Sequence, residues 1–303
     1  ALLTAHATSE HQRLIDAAGA DDLVRREGYR AVFRAPASLD AALATAQRWA
    51  REYGVAFAAQ DGDALAAAEP ALRQRLAGAI HWTDPWSVSD PGELVARYAA
   101  HLAQVGGRVV RGDARTLQPR GAGWSVQTDE GPHEAAHAVV ALGPWADTLL
   151  TPVGLRMPLF VKRGYHRHYT GGAAPRLALL DADRGLVIAP MTRGVRITTG
   201  AELTHRDAPS TPWQLARAEQ SARELLDLPQ PVESEPWRGA RPCTPDMKPV
   251  IGAAPGRPGL WFNFGHGHQG FTLGPVSGRL LAEMISGEPP VVDPAPYAPQ
   301  RLL

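Results

Sequence analysis

The chain has 303 residues; 44% are hydrophobic and 20% charged, enough apolar content to bury a sizeable core and too much for a disordered polymer. Lys+Arg and Asp+Glu are both 31, so no basic excess points to nucleic acid or an anionic membrane surface as the main partner. The single cysteine, Cys243, excludes an internal disulfide and a cysteine-based zinc site.

Residues 1–26 read as helix, because Leu2, Leu3, Leu14, Ile15, Leu23 and Val24 fall at partial helical spacing. Residues 29–33 read as a short strand. A helix is predicted over 39–53 with Ser38 as its N-cap, and the Ala-rich stretch 61–77 reads as helix in pieces around Pro70. Asp90-Pro91-Gly92-Glu93 combines a capping side chain, a proline at the first helical position and an acid at the third. A helix should run from there to Gln104 and stop at Gly106-Gly107. Strands are predicted at 108–111, 124–128 and 137–142. Runs rich in β-formers follow at 159–169, 177–180, 186–189 and 195–199, separated by Gly171-Gly172 and Asp183-Arg184-Gly185, which reads as antiparallel sheet. Then come a helix over 212–226, strands at 232–238 and 260–264, a last helix over 273–285 and a Pro-rich tail from Glu288. No run of 18 apolar residues predicts a membrane span, and the first residues carry no signal-peptide pattern.

At roughly 150 residues per domain the length suggests about two domains, or one large one, and the pattern interleaves two layers. Residues 87–150 and 236–303 read as two pieces of an α/β unit. Residues 151–235 read as a β-rich unit, with 1–86 as its helical part.

Three segments carry chemistry. Gly265-His266-Gly267-His268-Gln269-Gly270 has the letters of a dinucleotide fingerprint after an apolar strand. The second parallel strand and the acidic residue that a fingerprint needs do not follow it. A glycine-rich strand-to-helix junction still lets a flat ligand approach the backbone, and the helix start near Thr272 offers N–H groups to developing negative charge; a plain tight turn explains it equally well. The run 139–147 is a buried strand ending in Ala141-Leu142-Gly143-Pro144-Trp145. Small residues at a strand's carboxyl end are where α/β folds admit ligands, or where strand and helix simply pack. In Gly239-Ala240-Arg241-Pro242-Cys243-Thr244-Pro245-Asp246 the arginine needs an anionic partner, either a ligand carboxylate or Asp246.

Taken in order, these three segments resemble the C-terminal three quarters of the FAD-dependent D-amino-acid oxidase superfamily, and are most similar to bacterial D-amino-acid dehydrogenases. The resemblance implies an α/β fold of mixed α+β character, in which an incomplete FAD/NAD(P)-binding-type domain is interleaved with an antiparallel-sheet substrate domain. The family's opening strand, G-x-G-x-x-G turn and acidic residue are not found before Ala1. The expectation is a fragment, or a second subunit that supplies the N-terminal FAD segment.

The resemblance implies non-covalent FAD, lined by Ala141, Gly143, Pro144 and Trp145, by Gly239, and by Gly265, Gly267, Gln269, Gly270, Phe271, Thr272 and Leu273, with Ala114 and Arg115 near the adenine. It implies Arg241 as the carboxylate anchor of an amino-acid substrate, and His268 and Tyr165 as substrate-facing residues. The implied reaction passes the α-hydrogen as hydride to flavin N5, with a quinone, another carrier or O2 as final electron acceptor. The implied location is cytoplasmic, with peripheral contact at the inner membrane for the dehydrogenase branch.

Other chemistries fit less well. His166-x-His168 and His266-x-His268 lack carboxylates at ligand spacing, so no metal is expected. Ser277 does not sit in a G-x-S-x-G elbow. Cys243 reads as a small buried residue and not as a flavin anchor. Two further readings stay open: an oxidase or dehydrogenase for glycine, sarcosine or proline, and a non-catalytic fragment that binds a partner.

Overall fold

Residues 2–152 and 154–303 are described by a computed structural model, and each element below starts or stops where local chemistry dictates. Helix α1 (Leu2–Ala18) is followed by strands β1 (Val24–Arg25) and β2 (Tyr29–Phe33). Helix α2 (Pro36–Tyr53) starts earlier than the Ser38 cap predicts, because Pro36 brings a φ already suited to the first turn. It ends at Gly54, whose φ of 69° closes it in the left-handed region. Strand β3 (Phe57–Asp61) leads through the Asp61 cap, which accepts from the Ala64 N–H, into α3 (Gly62–Ala68). Strands β4 (Gly78–Trp82) and β5 (Ser87–Val88) precede α4 (Pro91–Gln104), where Asp90 accepts from the Glu93 N–H at 3.0 Å as its spacing predicts.

A hairpin sheet follows, made of β6 (Gly112–Arg120), β7 (Gly123–Thr128) and β8 (Gly131–Ala135). Then come β9 (Ala138–Val140) and the short α5 (Ala146–Leu150). The long β10 (Phe160–Thr170) is joined by β11 (Ala178–Asp181), β12 (Leu186–Met191) and β13 (Gly194–Leu203). Helix α6 (Trp213–Leu225), β14 (Gln230–Pro231), β15 (Trp237–Cys243), β16 (Val250–Ala253), β17 (Leu260–Phe264) and α7 (Gly270–Ser286) complete the order.

Nine strands form the main sheet among the described residues, in the order β14-β10-β13-β12-β11-β2-β4-β3, with β15 also on β10. All its pairs are antiparallel except β2–β11, where Ala31 pairs Leu180. The sequence reading of 1–86 as a helical part is therefore incomplete, since β2, β3 and β4 extend this sheet. The strand expected at 108–111 lies at Gly112–Arg120, and that expected at 232–238 lies at Trp237–Cys243.

Alternation decides what each face of the sheet does. Leu186 and Ile188 on β12, with Val195 and Ile197 on β13, are buried in one cluster with Leu215, Ala218, Ala222 and Leu225 of α6. The residues between them, Val187, Ala189, Arg196 and Thr198, line a cavity on the opposite face. A smaller sheet, β16-β17-β9, carries a second core of Val140, Val250, Leu260, Phe262 and Phe264. Helix α7 packs on α1 through Leu3, Ala7, Leu273, Val276 and Leu280.

Candidate active site

The glycine motifs meet at the end of β15. Strand β17 runs into Gly265 and Gly267, whose φ values of 79° and 59° favour glycine, and α7 starts at Gly270. A β carbon at Gly267 would stand 3.4 Å from Met247 Cε and 3.7 Å from Cys243 Sγ, and Cys243 makes an isolated bridge to His266. Strand β9 runs into a turn at Gly143, φ 54°, whose β-carbon position is 4.0 Å from Pro242 Cγ. Pro242 and Cys243 thus stand between the two turns, next to Arg241.

Arg241 lies across the sheet. Its Nη1 donates to the Gly200 carbonyl at 3.1 Å, and a β carbon at Gly164 would overlap its guanidinium. The β10–β15 register pairs Lys162 with Arg241, Gly164 with Gly239 and His166 with Trp237, which puts these residues on one face with His168. Gly239 is bare because the Trp237 indole folds over it. That indole stacks on His166 with centroids 4.6 Å apart at 20°. Burial pushes the His166 imidazole down to about 4, aided by the Arg196 charge.

His168 is also held below its usual range by burial. Its Nδ1 lies 2.9 Å from Glu233 Oε1, while its Nε2 accepts from Arg196 Nε at 3.0 Å. The guanidinium can only donate, so the proton sits on Nδ1 and is shared with the carboxylate.

A cavity of about 840 Å³ runs between α1 and α7, and a second of about 910 Å³ lies between α1, the start of α7 and the sheet. Phe271 lines both, and Thr272 lines the second with Arg196 and Thr198. His11 stands between them; its Nε2 is 3.0 Å from the Phe271 carbonyl and its Nδ1 is 3.0 Å from Tyr98 Oη. The backbone N–H groups of the first turn of α7 have no partner within the helix. The larger cavity has that helix start at its edge, and Gly270 lines the other cavity. The turns at Gly143 and Gly265–Gly270 leave backbone uncovered by side chains, and with the open N–H groups of α7 this is a donor set that fits FAD.

The remaining expected residues stand beside the two glycine turns, on the α6 side of the main sheet, between α1 and α7, or on the hairpin sheet. Tyr165 is on the α6 side of β10, opposite Arg241, where its hydroxyl donates to Glu202 at 2.9 Å and accepts from the Thr211 N–H at 3.1 Å. It is not brought to the Arg241 face. Leu273 is buried between α7 and α1. Ala114 and Arg115 stand on β6 in the hairpin sheet, with Arg115 paired to Asp113 at 2.7 Å. His268 is exposed in the turn before α7, and Gln269 closes that turn by donating to the His266 carbonyl. Ala141 and Trp145 are exposed around Gly143 and Pro144, with Arg206 over the Trp145 ring. Asp246 is bound by Arg301 and Lys248, leaving Arg241 without a carboxylate partner among the described residues. Sequence reasoning missed His11, Arg196 and the Trp237–His166 stack. For Arg196 a signal was present, since Val195-Arg196-Ile197-Thr198 alternates strictly.

A family model described as FAD dependent oxidoreductase matches residues 1–284. A D-amino-acid oxidase of Bradyrhizobium diazoefficiens is 30% identical over 97% of this chain and 70% of its own length. A glycine oxidase of Pseudomonas aeruginosa is 37% identical over 57% of this chain and 48% of its own length. D-amino acid dehydrogenase 2 of the same organism is 34% identical over 92% and 67%. The chain thus spans from about half to 70% of the length of these curated relatives. Among solved structures, a glycine oxidase from Geobacillus kaustophilus superposes with a TM-score of 0.79 at 24% identity, covering 99% of this chain and 82% of that one. An iminodiacetate oxidase from Chelativorans also gives 0.79 at 24% identity, covering 98% and 83%. These superpositions establish the fold, and the family match together with the relatives' identity establishes membership: the chain belongs to the FAD-dependent oxidoreductase family.

Proposed function

We propose that the chain serves the FAD-dependent oxidative deamination of a D-amino acid to a 2-oxo acid, with electrons passed to a quinone or another carrier. The observation that supports this most directly is Arg241, an arginine held at Gly200 with no carboxylate of its own, between the two glycine turns. Its free fork would take the substrate α-carboxylate in a bidentate pair, and its anchorage at Gly200 fixes where the α-carbon stands. FAD, when bound, supplies the hydride acceptor. The N–H groups at the start of α7 would hold the edge of that group and would favour negative charge there without reorganising. His11 holds that helix start in place through the Phe271 carbonyl. The larger cavity, with Ile15, Val24, Trp86, Val88 and Val187 in its wall, would offer the reacting atoms an apolar surface.

Non-covalent attachment is part of the proposal. Cys243 is 1% exposed and its thiol is raised by burial, which disfavours the nucleophilic thiolate. A glycine-type oxidase is the second reading, supported by the glycine oxidase relatives. No helix among the described residues is long and apolar enough to cross a membrane. We place the protein in the cytoplasm, with peripheral contact at the inner membrane if a quinone is the acceptor.

The test is a visible absorption spectrum of the chain titrated with FAD, followed by anaerobic D-alanine and then glycine. Bleaching by D-alanine in preference to glycine is expected. Bleaching by glycine alone selects the second reading, and a flavin-loaded sample that no amine bleaches overturns both.

A further inference from the structure

The geometry points to a second anion subsite at Arg196, so that the substrate carries an acidic group at its far end in addition to its α-carboxylate. The inference rests on the reading of Arg241 as the α-carboxylate anchor, and adds the substrate class. Arg196 lies on the same sheet face as Arg241, where a cavity of about 410 Å³ meets the larger one, and it lines both. Only its Nε is engaged, donating to His168 Nε2 at 3.0 Å. Among the described residues its two terminal nitrogens make no hydrogen bond or ion pair. The acids near it are committed elsewhere. Asp90 caps α4 at the Glu93 N–H, and Glu233 binds the His168 N–H, His168 Nδ1 and Arg193.

Arginines elsewhere in the fold show the contrast. Arg30, Arg34, Arg163 and Arg279 each bind a carboxylate of this chain. A partly buried guanidinium with its fork open to a cavity is a ready receptor for a carboxylate. The His168–Glu233 pair orients that fork from behind, because His168 accepts from Nε and leaves both terminal nitrogens forward.

The spacing selects the ligand. Arg241 is held at Gly200, and Arg196 is four residues back along β13, about 13 Å at ordinary strand rise. That backbone spacing leaves room for an amino acid whose second carboxylate lies a few carbons beyond its α-carbon, as in a five-carbon dicarboxylic amino acid. Thr198 and the Trp237–His166 stack lie between the two arginines, under the carbon chain.

The test is calorimetric titration of the purified chain with D-glutamate and with D-glutamine, its neutral isostere; it needs no turnover. D-glutamate should bind about 10- to 100-fold more tightly, the range of a charge-assisted pair. Arg196→Met should bring that ratio close to one, and Arg196→Lys should keep part of it with the charge and fold retained. Arg241→Met should weaken both ligands alike; if it weakens neither, the α-carboxylate reading fails separately. A wild-type ratio near one, no binding of either ligand, or a ratio that Arg196→Met leaves intact in a variant with unchanged circular dichroism overturns the subsite.

Discussion

His11 donates its Nε2–H to the carbonyl oxygen of Phe271 at 3.0 Å, and the reason lies four residues further along α7. That carbonyl would normally accept from the N–H of residue 275, which is Pro275 and has none. His11 supplies the missing donor, which fixes its tautomer and leaves Nδ1 to accept from Tyr98 Oη. Replacing His11 with Leu leaves two buried polar groups unmet and should cost about 1–3 kcal/mol in urea unfolding. His11→Gln, which keeps a donor, should recover most of it.

The buried histidines set an acid limit. Burial pushes His266 down to about 4, with Nε2 3.1 Å from Ser277 Oγ, and His166 also to about 4. Both are neutral when folded, whereas unfolded histidine takes a proton near pH 6.5. Their stabilisation is therefore complete above pH 6.5 and drains away as the pH falls towards 4. For His266 alone the loss should be about 3 kcal/mol. Urea midpoints from pH 7 to pH 4 should fall accordingly, and less steeply in His266→Gln. Asp246, held at about 2 by the Arg301 guanidinium, acts only below this window.

Gly164→Ala separates binding from folding. The new methyl group would overlap the flexible end of Arg241 and push it off the Gly200 carbonyl. Carboxylate affinity should fall about 10-fold by calorimetry, while the melting temperature changes little.

Glu69 marks a weak point of the main sheet. It is 0% exposed, binds the Arg30 guanidinium, and accepts from the Arg176 and Leu177 N–H groups at 2.7 and 3.1 Å. Glu69→Ala leaves a buried arginine without its counter-charge and should cost about 3–5 kcal/mol in chemical denaturation.

Local chemistry was readable in the sequence, and register was not. Asp90-Pro91-Gly92-Glu93 announces α4 because the cap, the proline and the acid all act within one turn. Strand β4, Gly78-Ala79-Ile80-His81-Trp82, carries little strand propensity of its own and is extended because β2 and β3 flank it. Tyr165 shows the same limit at the site. A strand over 160–170 is evident, but whether Tyr165 or Gly164 shares a face with Arg241 depends on the pairing of Gly164 with Gly239, and a one-residue slip reverses it.

The parallel pairing of β2 with β11 has a consequence for how the molecule is made. Val32 and Asp181 are neighbours in the sheet yet lie some 150 residues apart in the chain. During synthesis the unit β2–β4 therefore waits with an open edge until β11 has emerged, and β10 waits, for a shorter stretch of chain, for β15. Closing such loops precedes any reward from the contacts they make, so refolding should be slow for the chain's size and sensitive to protein concentration.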